Sequence, residues 1–505
     1  MRNHLIFFML AAFWVGSCTP ASAYPTRQLT ATATEIVFPS QTPHPSQTAA
    51  PTSTLYPLLQ TQGPYLLFTR DNKRLTLVDI DGRGRRQIQL PKDGYIFLLD
   101  KSISPDGKWV AYFAGSAKEP YDLTLNLMDL SDETTHMVAR LLSPGFPANL
   151  EPMVEAMVLS DLPVYEAYCS EDLECRRSLV QNELINSLFQ FDWSPDSQAI
   201  AFTTQIDGPS SDIYLYHLQD ETIRQLTREP ENIYWLDWAP NGLSLLYQIS
   251  SPIGTSYEGS QWRLISLEGR EISFSKELKQ EYFRWGSYDW VSENLYLFLI
   301  WSDVAPSQSS FRILNTDTGE VKDIWPHSAE FFAVDREHQA IYLSFRHYAG
   351  QSSPPAEGSY IVEASGKFRR IIDSNHILVS FAEDKGPYPL LAVDYEGRVH
   401  DIRYDGSSEM LAWPGRPLPY LSPDGKRLLY LEYNQLALYT DSYEFIKAWP
   451  MEEGIHVIVW SPDSLGFFIF TTTKTYYLGT ADEQPRPLID ECSPKCETER
   501  FVWLP

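Results

Sequence analysis

Residues Phe191 to Thr227 read FDWSPDSQAIAFTTQIDGPSSDIYLYHLQDETIRQLT, and this stretch decides the fold. It divides into four short strands. Asp192-Trp193 ends an inner strand, and Ser194-Pro195-Asp196-Ser197 turns the chain, because Pro pre-sets φ while Ser and Asp bond nearby amides. Ala199-Ile200-Ala201-Phe202 is an apolar run too short for a helix and flanked by turn residues, so it reads as a buried strand. Ile206 to Ser211 breaks the chain, Ile213-Tyr214-Leu215-Tyr216 is β-branched and aromatic, and Ile223 to Thr227 makes an amphipathic edge. One such unit cannot bury both faces, so it needs neighbours of its own kind.

Fainter copies supply them. The turn recurs at Ser104-Pro105-Asp106-Gly107, Ala239-Pro240-Asn241-Gly242, Ser422-Pro423-Asp424-Gly425 and Ser461-Pro462-Asp463-Ser464. From Asp106 to Asp196 is a step of 196−106 = 90, which holds one unit plus an insertion. From Asn241 to Asp424 the step is 424−241 = 183, room for about four units of roughly 40–45 residues. Degenerate copies fill that gap at Tyr288-Asp289-Trp290, at Phe331 to Asp335 and at Ile377 to Phe381. Phe501-Val502-Trp503-Leu504-Pro505 matches the inner strand around Trp193 and then stops, while Tyr65 to Leu90 reads as the other three strands of a blade. Joining the two in one sheet closes a ring and removes the open edge. The expected fold class is therefore all-β, a β-propeller of four-stranded blades, nine by this count and eight if one degenerate unit is something else.

These residues resemble the TolB-type, WD-like propeller repeat, whose pattern is W-S-P-D-G, an apolar strand, a turn, I-Y-V and R-x-L-T. The same blade type occurs in the propellers of prolyl-oligopeptidase-family enzymes. The resemblance covers most of the chain after Pro64 and implies an envelope interaction module, with the ring scaffolding contacts to other proteins. A propeller fold by itself does not specify a function.

The segment before the propeller gives an address. Met1 to Cys18 carries Arg2, an apolar core LIFFMLAAFWV and then Gly16-Ser17-Cys18, which fits an export signal too short to span a bilayer. Val15 to Cys18 resembles a bacterial lipobox, which implies diacylation of Cys18 and a lipid anchor at the cell membrane or cell surface. Ala21-Ser22-Ala23 is a competing cleavage site that would release a soluble protein starting at Tyr24. Residues 19–62, rich in Thr, Pro, Ser and Ala, lack apolar periodicity and read as a disordered stalk. Residues 63–505 make the propeller, with an amphipathic, partly helical insertion at about 142–188.

The chain has 505 residues and a formal net charge of −26, so it should repel phosphate backbones, and no nucleic acid is expected as a partner. The 10 His are scattered without metal-ligand spacing, no G-x-S-x-G occurs, and no cofactor is expected. Asp79-Ile80-Asp81-Gly82 begins like a calcium loop but lacks the rest of the ligand series, so it reads as a hairpin turn. Four cysteines besides Cys18 suggest two disulfides in an exported chain, with the local pairings Cys169–Cys175 and Cys492–Cys496 chosen over a four-cysteine zinc site.

Loops between the second and third strands share a face with the inter-blade connections. Long ones are expected at Gly115 to Tyr121, Ile206 to Ser211, Ser250 to Gln261, Ser302 to Ser310 and Arg346 to Ser359. Binding residues concentrate on loops held by rigid scaffolds, so Tyr257, Trp262, Trp301, His347 and Tyr348 are the candidate ligand-binding residues. Trp193, Trp238, Trp290, Trp460 and Trp503 recur at equivalent places and read as packing between blades. The functional expectation is a non-catalytic module binding an envelope or extracellular protein, or a small ligand. The alternative is an extracellular hydrolase acting on glycans or peptides at the channel mouth.

Overall fold

The computed structural model describes residues 63–504 apart from 143–168, 178–186, 251–260, 273–287, 301–309, 346–354, 380–389, 412–419, 489–500 and breaks of one to four residues. Within the described residues, 36 strands form nine four-stranded antiparallel sheets, the blades of a β-propeller. Numbered along the chain, the innermost strands of blades 2 to 9 are Gly94–Tyr95, Phe191–Trp193, Asn232–Trp238, Tyr288–Ser292, Phe331–Asp335, His376–Val379, Tyr420–Leu421 and Ile455–Trp460. Blade 1 is built from both ends of the ring. Its outer strands are Tyr65–Thr69, Arg74–Asp79 and Arg85–Gln89, and Phe501–Leu504 pairs beside the first of them, with Phe68 opposite Phe501 and Tyr65 opposite Leu504.

Blade 3 shows why these residues form these strands. Ala199–Thr204 is buried along its whole length, sandwiched between the blade's own neighbours in the sheet and the two flanking blades. Its apolar side chains alternate between the two seams. Ile200 and Phe202 pack toward blade 2, whereas Ala199 and Ala201 pack toward blade 4. At the closure, Leu66, Phe68 and Val78 of blade 1 meet Phe468, Phe470 and Leu478 of blade 9, so the seam between first and last blades is apolar.

The turns between first and second strands of blades 2, 3, 8 and 9 share one hydrogen-bond pattern. Ser194 Oγ donates to Asp196 Oδ1 at 2.6 Å, Asp196 Oδ1 also accepts from the Gln198 amide at 3.0 Å, and Ser194 Oγ accepts from the Ala199 amide at 2.9 Å. Ser104 with Asp106, Ser422 with Asp424, and Ser461 with Asp463 repeat it at 2.6–2.7 Å. Two of the inner-strand tryptophans bond the backbone of the preceding blade, Trp193 Nε1 donating to the Ser102 carbonyl and Trp460 Nε1 to the Tyr420 carbonyl at 2.8 Å. At the rim a second tie recurs. Arg86, Arg224, Lys322 and Arg369, all on outermost strands, donate to the carbonyls of Leu130, Leu267, Ser365 and Asp405 in the next blade.

Two features depart from the sequence expectation. Gly115 to Tyr121 is largely strand and not a loop, because Trp109–Ser116 and Glu119–Asp129 run on as a hairpin, paired as far as Ser116 opposite Glu119. The cause is the alternation of Leu123, Leu125 and Leu127, which commits the second arm to the sheet. In addition, a single helical turn, Leu99–Ser102, interrupts the inner strand of blade 2, which resumes at Ile103 opposite Val110. The Lys101 ammonium reaches to 5.9 Å from the ring centre of Trp235, on the inner strand of blade 4, so this turn projects into the central channel.

Candidate functional site

Each blade sends its 2–3 loop and its exit to the next blade toward one face, and its 1–2 and 3–4 turns toward the other. On the loop-bearing face, between blades 3 and 4, lies a buried polar network. Asp212, the first residue of the third strand of blade 3, accepts at Oδ1 from Thr227 Oγ1 at 2.8 Å and from the Glu229 amide at 2.7 Å. Thr227 Oγ1 in turn accepts from the Ile213 amide at 2.8 Å. Burial pushes the Asp212 carboxyl up to about 7, against the lowering effect of the Glu229 amide and the Thr227 hydroxyl.

Glu229 carries the network into blade 4. Its carboxylate accepts from Tyr247 OH at 2.7 Å and from Arg263 Nη1 at 2.9 and 3.1 Å, and its carbonyl accepts from Ser210 Oγ at 2.6 Å. Burial, followed by the adjoining Glu229 carboxylate, drives the Tyr247 hydroxyl upward. Asn232 Oδ1 accepts from the Ser211 amide at 2.9 Å and from Gln205 Nε2 at 3.3 Å, and Gln205 bridges to Leu142 where the insertion begins. The network therefore fixes both ends of the loop from Ile206 to Ser211, the exit of blade 3 and the foot of the insertion. Asp207 faces solvent beside it and accepts from Gln225 Nε2 at 2.7 Å.

Chemically this is a rigid acidic platform. The Asp212 and Glu229 oxygens are engaged by neighbouring groups, so their role is to hold loop backbone in place. No group of three or more His, Cys, Asp or Glu able to hold a metal ion occurs among the described residues.

Of the candidate ligand-binding residues, Tyr257, Trp301, His347 and Tyr348 lie outside the described residues, as do Cys18, Cys492 and Cys496. Trp262 is described, and it is 4% exposed. Its ring packs edge-on against Trp235 at 4.8 Å and Phe298 at 5.3 Å, in the seam between blades 4 and 5. A ring used in this way belongs to the core, so its place in the binding set is corrected. Cys169 and Cys175 form a disulfide, with Cα atoms 5.4 Å apart. Sequence reasoning passed over Asp212, Glu229 and Arg263. The available signal was Thr227 closing R-x-L-T, with Asp212 opening the preceding strand.

The opposite face carries a groove of about 680 Å³ across blades 4, 5 and 6, walled by Pro240 and Leu243 on one side and Arg336 and Gln339 on the other, with Glu293 and Asp317 between. It exists because blade 5 joins its first two strands through only Glu293 and Asn294, whereas blades 4 and 6 use five and four residues.

Neither a protein-family model nor a curated protein matches the chain. Solved structures do. A crystal structure of a eukaryotic initiation factor aligns with a TM-score of 0.50 and 10% identity, over 88% of this chain and 99% of the other. The likeness is one of fold. An oligogalacturonate lyase in complex with manganese aligns with a TM-score of 0.33 and 10% identity, over 85% of this chain and 97% of that one. TolB from Acinetobacter baumannii aligns with a TM-score of 0.27 and 15% identity, over 77% and 80% of the two chains.

Proposed function

We propose that the chain is an exported, lipid-anchored propeller acting as a non-catalytic protein- or ligand-binding module of the cell envelope. In this reading residues 1–18 are the signal with its lipobox, 19–62 the stalk, and 63–505 the propeller head. The observation that carries it is the asymmetry of the ring. On the loop-bearing face, long 2–3 connections gather on blades 3 to 6, and a buried network from Gln205 to Arg263 braces the first of them. Rigid loop anchorage of this kind lowers the entropic cost of binding. The Cys169–Cys175 disulfide supports an oxidising compartment, and with it export.

Mass spectrometry of the mature N-terminus, from membrane and soluble fractions, tests the anchor. A diacylated Cys18 supports the reading, whereas an unmodified start at Tyr24 replaces it with a released protein. For the face, alanine substitutions at Tyr257 and Tyr348 should weaken binding of an identified partner. Turnover of a glycan or peptide panel by the purified protein would instead establish the hydrolase alternative.

A further inference from the structure

The groove at blade 5 lies on the face away from the long loops, and its walls have a definite chemistry. Leu243 is 66% exposed. The same turn position carries Lys108, Gln198 and Lys426 in blades 2, 3 and 8, so the turn itself does not call for an apolar residue there. Blade 9 also has a leucine, Leu465, but Leu243 is the one that walls the groove with Pro240. The floor is acidic. Glu293 and Asp317 are both exposed, whereas Arg336 on the far wall directs Nε to the Trp290 carbonyl at 3.0 Å. Trp290 reaches the groove, yet it is 6% exposed and its Nε1 is spent on Asp237 at 3.0 Å, so it offers no open ring for a sugar to stack on.

We propose that this groove docks an extended segment of a partner polypeptide in which an aliphatic residue neighbours a lysine or arginine. The aliphatic side chain covers Leu243 and Pro240, the cation sits between Glu293 and Asp317, and Gln339 on the rim is placed to bond the segment's backbone. A basic segment is also the one that a chain of net charge −26 attracts from a distance. The recessed turn of blade 5 provides the room, so the site belongs to this blade and not to the repeat.

The test is fluorescence anisotropy of the full chain with a labelled acetyl-Leu-Lys-Leu-Lys-amide peptide, and with its Leu-Glu-Leu-Glu counterpart. The lysine peptide should bind saturably and the glutamate peptide should not. Glu293→Lys with Asp317→Lys should weaken binding roughly tenfold or more, since two attractive exposed charges become repulsive. Leu243→Ser should weaken it as well. The charge-matched control Asp441→Lys with Glu444→Lys, at an exposed turn of blade 8, should leave it unchanged. All of these positions are exposed, so the variants should fold. Absence of saturable binding, equal losses in the two double variants, or an unaffected Leu243→Ser would overturn the proposal. It does not rest on the loop-bearing face, and alanine at Tyr257 and Tyr348 should not alter binding of this peptide.

Discussion

The hydroxyl of Ser197 accepts a hydrogen bond from the backbone amide of Asp106, one blade away, at 2.9 Å, and Ser464 does the same for Asp424 at 2.9 Å. Both serines sit in the left-handed region, at φ 60° and 63°, where Gly107, Gly242 and Gly425 serve in the sister turns. A serine there carries a backbone cost that glycine avoids, and the structure recovers it through a contact between blades.

The two substitutions at this site should therefore differ. Ser197→Ala keeps the strained φ and leaves the Asp106 amide without its partner, so it should destabilise by about 1–2 kcal/mol. Ser197→Gly loses the same bond but relieves the strain, and should change stability by only a few tenths of a kcal/mol. Urea unfolding of the two variants checks this. Equal losses would show that the hydroxyl contact, and not the backbone, sets the cost.

Ring closure makes a second prediction. Leu504 is buried among Leu67, Ile88 and Val110, although the strand that carries it is four residues long. Leu504→Ala should cost about 2–4 kcal/mol, as expected for a leucine truncated in a packed core. Deleting residues 501–505 should do more, since it uncovers the edge of Tyr65–Thr69 and invites pairing between molecules. Size-exclusion chromatography of the truncated chain should show association beyond the state of the full-length protein.

The Asp212 carboxyl provides a pH dependence whose sign is fixed. Its folded value of about 7 lies above the unfolded value near 3.8, so the native state holds a proton that the unfolded chain has released. The stability tied to that proton is fully present below about pH 4 and is lost as the pH rises through 7. Between pH 5 and pH 8 the wild type should lose stability on the order of 2–3 kcal/mol from this group. Asp212→Asn cannot ionise, and its side-chain oxygen can still accept from Thr227 and the Glu229 amide. Its unfolding free energy should fall less over the same interval, as denaturant titrations at the two pH values would show.

Much of the ring was legible because its signals are local. Ser194 and Asp196 close their turn within five residues, and Trp193 and Trp460 mark the inner strand directly before it, so each unit could be read without its neighbours. The closing strand was legible for the same reason, with Trp503 in the corresponding place. What escaped was long-range or depended on orientation. The run Leu99–Ser102 is too short for any periodicity, and only its neighbours show that it enters the channel. Trp262 stands at the start of a strand, where the sequence alone does not say which face its ring takes. Asp212 and Glu229 are brought together across a strand and a blade exit, and the R-x-L-T signature marks only Thr227, which bonds Asp212, and not Glu229 beyond it.

The pair formed by Glu229 and Arg263 is the severest test of the platform. The Glu229 side chain is 7% exposed, and the guanidinium of Arg263 approaches it at 2.9 Å. Arg263→Ala would take the facing cation away from a buried carboxylate that also accepts from Tyr247 OH, and removing one partner of such a pair costs about 3–5 kcal/mol. Replacing both charges, as Glu229→Gln with Arg263→Met, removes the desolvation cost along with the attraction, and should recover most of that loss. The double variant separates two roles for the pair. Suppose it regains stability, yet limited proteolysis cuts the segment from Ile206 to Ser211 faster than in the wild type. The ion pair then serves to hold the loop-bearing face in shape, and its contribution to the stability of the ring is secondary.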